Sequence, residues 1–383
     1  MDGIGMSNIS EILPVLVAAI LLAVGSHMRS DYSRSLERYR YKEALLYTIM
    51  TVVLILFAGL RTRYNDTVTY IQGYEMTPST GSIWDGAKDW SLGANPGFNL
   101  VNILLRRAGV SSQSFLMLYA AVTLGIYLWF LRKYSNNLWL TTFLFLTYAG
   151  YTFTLAAIKQ CIAVAFCLLA VDQALKKKWV PFALWILLAI TFHPYSVMYL
   201  VVPFLVFRPW SGRTYLTLAV FGLAGALLEN MLGTIVDITS MFGESYDLES
   251  FSGEGVNPFR LAVTAVPLVL SFIARYHITQ MDEKKERMYF LFVNLAILNA
   301  EIMFVGLFGT ANYFARLANY FVIFQALSIP WLLQFFDSKS RRMLSIVAVV
   351  CYCLFFYYEN AMNRSFNADY NSIALLDYLR SLF

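Results

Sequence analysis

The residues of this sequence that could do chemistry stand near the ends of long apolar stretches. The first group lies in R-T-R-Y-N-D-T-V-T-Y and comprises Arg61, Arg63, Asp66 and Tyr70. The two guanidinium groups offer planar forks that match phosphate oxygens. Asp66 and Tyr70 are four residues apart and share a face if the segment is helical. The pattern predicts phosphate binding, although arginines that anchor a membrane surface through an Arg–Asp salt bridge would explain it as well.

Two further segments carry polar groups: one has a cation beside an amide, and the other has an imidazole. Lys159 and Gln160 adjoin one another in an apolar run, where they would suit an anionic head group or sugar hydroxyls. A lysine that snorkels to the membrane surface is the alternative. His193 precedes Pro194, and its imidazole can take a proton from a hydroxyl near neutral pH. Its alternative is the capping of a turn between two helices.

A polar stripe crosses the apolar segment N-Y-F-A-R-L-A-N-Y-F. Asn312, Arg316 and Asn319 recur at i, i+4 and i+7, and Tyr320 follows Arg316 at i+4. A charge inside an apolar span is costly and tends to be functional. The stripe therefore predicts a functional arginine. Arg260, near the start of another apolar run, is a similar case for which an ordinary ion pair is the alternative.

No sequence motif indicates a metal or a nucleotide. The sequence has no H-E-x-x-H, no Walker A loop, no G-x-S-x-G and no D-x-D-like pair on the predicted outer side. We therefore expect no cofactor. Cations from separate segments, together with a histidine and an aspartate, would fit a lipid-linked phosphate or pyrophosphate that carries a polar head group.

The composition predicts the elements that position these residues. Of the 383 residues 58% are hydrophobic and 14% are charged, whereas a soluble domain carries about 25% charged residues. Apolar runs of membrane-spanning length recur as far as Tyr358. We predict an all-α polytopic membrane protein that forms one membrane domain over residues 1–383, without a nucleic-acid-binding module.

The apolar runs and the basic residues together predict about twelve transmembrane helices. This number places about two-thirds of the 29 Lys and Arg residues in one set of short loops, which are then cytoplasmic. Both termini are then periplasmic. The predicted spans are 10–26, 43–60, 112–131, 137–153, 155–175, 179–192, 194–207, 214–231, 259–276, 288–307, 313–336 and 342–358.

Three longer segments fall on the predicted periplasmic side. They are the outer loop 61–111, the outer loop 232–258 and the C-terminal tail 359–383. Within the first, Gly97–Gly109 combines apolar residues with a basic pair and is too short to span a bilayer. It predicts an amphipathic helix that lies in the membrane interface.

Five short motifs, in this order, resemble the EpsG-type, Wzy-like family of bacterial polysaccharide polymerases. They are R-x-x-x-x-D-x-x-x-Y (Arg61–Tyr70), N-P-G-F-N-L (Asn95–Leu100), K-Q-x-x-A-x-A-F (Lys159–Phe166), F-H-P-Y-S (Phe192–Ser196) and R-L-A-N-Y-F (Arg316–Phe321). The resemblance runs over nearly the whole chain. One departure is the Lys–Gln pair, which in the family usually reads Arg–Gln.

The resemblance implies a GT-C-like architecture in the bacterial inner (cytoplasmic) membrane, with the active face periplasmic. The growing glycan on undecaprenyl pyrophosphate would be transferred to the non-reducing-end hydroxyl of a lipid-linked repeat unit. The partners would be the undecaprenyl-pyrophosphate-linked oligosaccharide donor and acceptor and the lipid bilayer, with a chain-length regulator as a further candidate and no nucleic acid. The product could be O-antigen, capsule or exopolysaccharide.

In such a reaction, cations would stabilise the charge that builds on the departing pyrophosphate. The residues expected to do so are Arg316, as a catalytic residue, and Arg61, Arg63, Lys159 and Arg260, as binding residues. His193 is the first candidate for the base that activates the acceptor hydroxyl, and Asp66 is the second. The residues expected to orient sugar or phosphate are Tyr70, Gln160 and Tyr320. We expect all of these groups to share one periplasmic pocket.

Other functional classes remain open from the sequence. A lipid-linked oligosaccharide flippase or transporter would place polar residues near the bilayer midplane and show two related halves, whereas the residues selected here cluster at one face. An O-antigen ligase-type glycosyltransferase or a sugar acyltransferase would share the cation-rich outer face, so the sequence separates it poorly from a polymerase. Charges inside the membrane disfavour a purely structural scaffold.

Overall fold

In the part of the chain that it describes, the computed structural model is nearly all helical, as predicted, apart from one pair of very short strands. The residues that it describes are 7–32, 37–80, 83, 94–227, 237–238, 255–276, 282–308, 311–362 and 369–382. The helices form two compact units. Unit one comprises Met1–Asp89, Gly97–Leu168 and Val350–Phe383, and unit two comprises Trp90–Pro96 and Leu169–Val349.

Among the described residues, four helices are long and apolar enough to cross a membrane. They are Ser112–Tyr134, Ile158–Leu175, Glu283–Val305 and Ser338–Met362. The bent pair Leu138–Thr147 and Gly150–Ala156 raises this number to five if the two helices form one span. Every predicted span overlaps a helix, but several of these helices are short. The count of about twelve crossings and the periplasmic termini therefore stay predictions.

Unit one consists of helices that pack around α2. Its elements are α1 (Ser7–Tyr32), α2 (Glu37–Gly59), α3 (Thr67–Glu75), α4 (Pro96–Arg107), α5 (Ser112–Tyr134), α6 (Leu138–Thr147), α7 (Gly150–Ala156), the first part of α8 (Ile158–Leu175), the last part of α16 (Ser338–Tyr357), a π-helical turn (Tyr358–Met362) and α17 (Leu375–Arg380). Helix α1 packs on α2 and α6, and α2 packs on α5. Buried tyrosines join these helices. The Tyr47 hydroxyl donates to the Leu128 carbonyl at 2.8 Å, and the Tyr151 hydroxyl donates to the Leu54 carbonyl at 2.9 Å.

Two short strands hold the chain where it leaves α2. Strand β1 (Arg61–Arg63) pairs antiparallel with β2 (Asn371–Ser372), with Arg61 opposite Ser372. The Tyr370 hydroxyl donates to a carbonyl oxygen of α2 at 2.7 Å. The C-terminal segment therefore fixes the start of the first predicted outer loop.

The segment 138–175 is helical but broken twice. Ala149 has a φ of +66°, in the left-handed region, and α6 and α7 meet there at 47°. A Cβ atom at Gly150 would lie 2.6 Å from a phenylalanine ring, so only glycine fits this bend. A second break falls at Ala157, and α8 begins at the next residue. The pair Lys159–Gln160 consequently lies in the first turn of α8.

Unit two packs around one long helix, α13. Its elements are the last part of α8, α9 (Trp179–Phe192), a 3₁₀ helix (Pro194–Leu205), α10 (Gly212–Ala226), α11 (Pro258–Thr264), α12 (Val266–Ala274), α13 (Glu283–Val305), α14 (Ala311–Ala318), a 3₁₀ turn (Asn319–Phe321), α15 (Val322–Leu333) and the first part of α16. Helix α13 contacts the 3₁₀ helix, α10, α11, α12, α14 and α15. It begins where the Asp282 carboxylate accepts a bond from the Lys285 N–H at 3.0 Å. Its buried face, with Tyr289, Val293 and Ile297, forms the core of the unit.

Several predicted spans are not single α-helices. The segment 194–207 forms a 3₁₀ helix instead, an unusually long one that begins directly after His193. The segment 313–336 consists of α14, the 3₁₀ turn and α15. The predicted amphipathic segment Gly97–Gly109 is helical as far as Arg107, as α4. Apart from 237–238 and 255–258, the predicted outer loop 232–258 lies outside the described residues.

Candidate functional site

Arg61 is buried deep in unit one, with 1% of its surface exposed. Its Nε donates to Thr67 Oγ1 at 3.0 Å, and its Nη1 donates to the carbonyl oxygen of Ala58. Burial lowers the pKa of the Arg61 guanidinium to about 10, because desolvation penalises the charged form. The group stays cationic at neutral pH. The cavity beside it holds about 10 Å³, about the room that one water needs.

The residues that follow Arg61 are more accessible. Arg63 and Asp66 are exposed, and Tyr70 is half-buried. The carbonyl oxygen of Asp66 accepts the Tyr70 N–H at 3.0 Å at the start of α3, so the predicted helical spacing of these two residues is confirmed. The Asp66 carboxylate makes no cap bond. Asp66 and Arg61 both lie in the described part of the chain, and they form no ion pair with each other.

Three sequence motifs meet at the ring of Phe98, which the sequence analysis assigned no role. Phe98 belongs to the N-P-G-F-N-L motif, lies on α4 and is 4% exposed. The Tyr70 ring approaches it edge-on, with 6.2 Å between ring centroids. Lys159 Nζ lies 5.5 Å from the Phe98 centroid, within the range of a cation–π interaction. The structure therefore brings Tyr70 and Lys159 together around one aromatic ring.

The break before α8 places Lys159 at a helix N-terminus. Lys159 is half-buried and Gln160 is buried. The first N–H groups of a helix find no acceptor within the helix, and its N-terminal end carries a partial positive charge. The Lys159 ammonium adds a full charge to this end. The start of α8 is therefore a region of positive potential that suits an anion.

In unit two the structure joins two residues that the sequence treats separately. His193 Nδ1 lies 2.6 Å from the hydroxyl oxygen of Tyr320. His193 is half-buried, whereas Tyr320 is 1% exposed. The Tyr199 hydroxyl donates to the Tyr320 carbonyl oxygen at 2.5 Å and fixes its backbone. Tyr320 thus lies behind the imidazole and holds it in one orientation.

This hydrogen bond restricts what His193 can do. Its geometry allows either Nδ1–H to donate to the phenol oxygen or the phenol to donate to Nδ1. Only in the first case does neutral His193 present Nε2 as a base, because the ring proton is then on Nδ1. In the second case the ring proton is on Nε2, which makes Nε2–H a hydrogen-bond donor rather than a base. Both uses involve Nε2, since Nδ1 is occupied by Tyr320.

Arg316 and Arg260 lie on other elements of unit two. Arg316 is exposed and lies in the last turn of α14, four residues before Tyr320. Arg260 is half-buried on α11. The predicted polar stripe extends past the end of α14, because Asn319 already belongs to the 3₁₀ turn.

An amide network that the sequence analysis missed holds this turn. Asn299 Nδ2 donates to the Ala318 carbonyl oxygen, where α14 ends. Gln325 Nε2 donates to Asn299 Oδ1 at 3.1 Å and to the Thr264 carbonyl oxygen at 2.8 Å. The network joins α11, α13, α14 and α15. An isolated Asn and Gln in apolar runs were its only signal in the sequence.

The structure therefore assembles the predicted residues in part. Unit one brings Tyr70 and Lys159 to Phe98, and unit two brings His193 to Tyr320. The single shared pocket would join residues of both units, and it stays a prediction. In the comparison with known families, the model of the EpsG family matches residues 44–372 of the chain. No curated protein matches the chain, and no solved structure does.

Proposed function

The chain belongs to the EpsG family, and from this premise we propose that it is a polysaccharide polymerase of the bacterial cytoplasmic membrane. Family membership indicates a polysaccharide polymerase or a related glycosyltransferase. It also indicates lipid-linked saccharide substrates and a membrane environment, which the long apolar helices support. The proposal adds the donor, the acceptor, the direction of transfer and the periplasmic location of the reaction.

The proposed reaction exchanges one bond at an anomeric carbon. The oxygen of the acceptor, the non-reducing-end hydroxyl of a lipid-linked repeat unit, bonds to the first sugar of the growing glycan. The bond from that sugar to undecaprenyl pyrophosphate breaks, and the pyrophosphate leaves with the electron pair. The hydroxyl proton passes to a base. These transfers balance without a nucleotide co-substrate, and we propose that the reaction uses neither metal nor nucleotide.

The hydrogen bond between His193 and Tyr320 is the observation that carries the proposal. A general base must be held in orientation while its reacting nitrogen stays available to the substrate hydroxyl. Tyr320 is buried and engages Nδ1 of the half-buried His193 at 2.6 Å, so we take Nε2, the other ring nitrogen, as the one that acts on the substrate. We assign proton removal to His193 Nε2 and a positioning role to Tyr320. Asp66, whose carboxylate is exposed, is the second candidate for the base.

The cations of the two units differ in how they could serve the pyrophosphate. Arg316 is exposed on the helix that leads to Tyr320, and we propose that it stabilises the charge of the leaving group. In unit one, Lys159 at the start of α8 and the exposed Arg63 are the proposed binding cations. Arg61 has two of its donors committed to Thr67 and Ala58, so it supports the segment that carries Arg63.

A flippase is the second candidate function, and one observation favours it. The segment 138–175 is broken at Ala149 and at Ala157, and the bend between α6 and α7 is 47°. Discontinuous helices form the substrate sites of many transporters, with their half-helix N-termini directed at anionic groups. Lys159 at the start of α8 would fit such a role.

The deciding experiment supplies the purified protein in proteoliposomes with a chemically defined lipid-linked repeat unit. Chelator is present, and no nucleotide is added. A ladder of lipid-linked products that differ by one repeat unit is the expected result. Movement of the repeat unit across the bilayer without elongation would replace the polymerase with the flippase. A single transfer onto a different acceptor would indicate a ligase, and a ladder that requires nucleotide or metal would contradict the proposed mechanism.

A further inference from the structure

Unit two contains an apolar cavity of about 470 Å³, which the proposed reaction does not use. Its size lies within the range of roughly 300–1,000 Å³ that is typical of small-molecule sites. The cavity lies between the 3₁₀ helix, α10, α13 and α14. Met198, Phe221, Leu298 and Phe314 are among the side chains that line it. Such walls suit a hydrocarbon chain.

Four polar residues line the cavity, and the fold uses the side chains of three of them. Asn294 Nδ2 donates to two carbonyl oxygens of the segment before α10, at 2.7 Å each. Thr214 Oγ1 accepts the Trp210 N–H at 2.8 Å. The Thr217 hydroxyl donates to the Thr214 carbonyl oxygen at 2.9 Å. The fourth polar residue is a carboxylic acid.

That acid is Glu301, on α13, which is 4% exposed. Its Oε1 atom is buried and has no hydrogen-bond partner among the described residues. A buried acceptor without a donor destabilises a fold, commonly by about 1–3 kcal/mol and by more when it is charged. The cavity wall therefore presents one unmet acceptor.

The number of hydrogen-bond donors that a bound molecule can offer to Glu301 indicates which kind of molecule would fit the cavity. A hydroxyl group brings one donor, which matches the one unmet oxygen of Glu301. An ammonium group or a sugar would bring further polar atoms, for which the apolar walls offer no partners. A phosphate brings negative charge towards a carboxyl group. The match favours an uncharged head on an apolar chain.

We propose that this cavity binds a long-chain alcohol, whose chain lies against the apolar walls and whose hydroxyl donates to Glu301 Oε1. The site is separate from the proposed polymerase chemistry and does not depend on it. Two of the elements that line it also carry candidate residues. Met198 lies on the 3₁₀ helix that follows His193, and Leu317 directly follows Arg316.

The test uses the full chain in lipid nanodiscs and a dodecanol that carries a diazirine in its chain. After illumination, peptide mass spectrometry locates the labelled residues. We expect saturable labelling at Met198 and Leu298, which line the cavity. Competitors are 1-dodecanol, its methyl ether, which lacks the donor, and dodecyl phosphate. The ether should compete about tenfold more weakly than the alcohol, the equivalent of one net hydrogen bond of ~1.4 kcal/mol.

Three variants separate the contributions to binding. Ala224→Phe fills the cavity without changing the acid and should abolish the labelling. Glu301→Leu should weaken it about tenfold through loss of one hydrogen bond, whereas Glu301→Gln should retain it because an amide oxygen also accepts. If Glu301→Leu does not fold, the role of the hydrogen bond is tested by the Glu301→Gln variant and by the competition of the alcohol and its ether on the unmodified protein. Equal competition by the ether, stronger competition by the phosphate, or undiminished labelling in Ala224→Phe would each overturn the proposal.

Discussion

The two units hold their candidate cations and bases in different ways. In unit one, Arg61 is 1% exposed, and its Nε and Nη1 donate to groups no more than six residues away. In unit two, His193 is half-buried, and its Nδ1 meets a side chain 127 residues away in the sequence. Arg316 is exposed. The first arrangement supports a local turn, whereas the second holds an imidazole in orientation and leaves a guanidinium accessible.

This contrast separates positioning residues from reacting residues. In sequence, Arg61 and Arg316 look alike, since each arginine stands near the end of an apolar run. In the structure, two Arg61 donors are satisfied by Ala58 and Thr67, so fewer remain for a substrate. A residue whose hydrogen-bonding capacity is already used should affect stability when it is changed. An exposed residue such as Arg316 should affect catalysis instead.

The largest effect is expected when the proposed base of unit two is removed. His193→Ala should lower the rate of elongation by about 10²–10⁴-fold, the usual contribution of general acid–base catalysis. The folded protein should persist, because His193 is only half-buried. The rate is measured from the product ladder with the defined repeat unit. His27→Ala, on α1 of unit one, is the matched control. Unchanged elongation in His193→Ala would remove His193 as the base and leave Asp66.

The next largest effect is expected for the exposed arginine of unit two. Arg316→Ala should slow elongation by about 10²–10³-fold, the usual cost of removing one preorganised group that stabilises developing charge. Arg316→Lys should recover part of this loss, because it keeps the charge but not the fork. Arg342→Ala removes another exposed arginine of unit two and serves as the control. Equal rates in the two alanine variants would show that Arg316 does not serve the leaving group.

The buried arginine of unit one, in contrast, should affect the stability of the fold rather than the rate of elongation. Arg61→Ala should lower the free energy of unfolding by about 3 kcal/mol, since it removes two charge-assisted hydrogen bonds at a buried site. Arg63→Ala, two residues away and exposed, should change it by less than ~0.5 kcal/mol. Thermal unfolding in one detergent compares the two variants. A stable Arg61→Ala protein that has lost elongation would place Arg61 with the reacting residues. The proposed difference between the buried arginine of unit one and the exposed arginine of unit two would then be wrong.

A smaller effect is expected for the tyrosine behind the base. Tyr320→Phe keeps the ring and removes the hydroxyl that meets His193. A loss of about tenfold in kcat is expected from one hydrogen bond of ~1.4 kcal/mol. The KM for the acceptor should stay unchanged if Tyr320 only positions the imidazole. A raised KM with an unchanged kcat would instead return Tyr320 to direct binding of sugar or phosphate. Tyr215→Phe, an exposed tyrosine of unit two, is the control.

The sequence predicted the helical class well, because apolar runs give a strong and local signal. It did not predict the breaks at Ala149 and Ala157, where a left-handed residue and tertiary packing decide the conformation. The same limit applies to the site. The residue types of His193 and Tyr320 were visible, but their pairing depends on contacts between distant segments. The buried state of Arg61 was also invisible, since burial is set by the packing of several elements.

The smallest effect should come from restoring the family's usual residue at the start of α8. Lys159→Arg provides a fork that can bind two phosphate oxygens at once, which an ammonium cannot do. Phe98 is compatible with this change, because its ring already lies 5.5 Å from the Lys159 charge and guanidinium groups also stack on aromatic faces. The KM for the lipid-linked donor should fall about two- to fivefold, which corresponds to ~0.4–1 kcal/mol. In a Phe98→Leu background the gain should shrink, because the ring that orients the guanidinium is gone. A rise in KM would show that the cation at this position serves the packing of unit one, as Arg61 does, and that the substrate does not contact it.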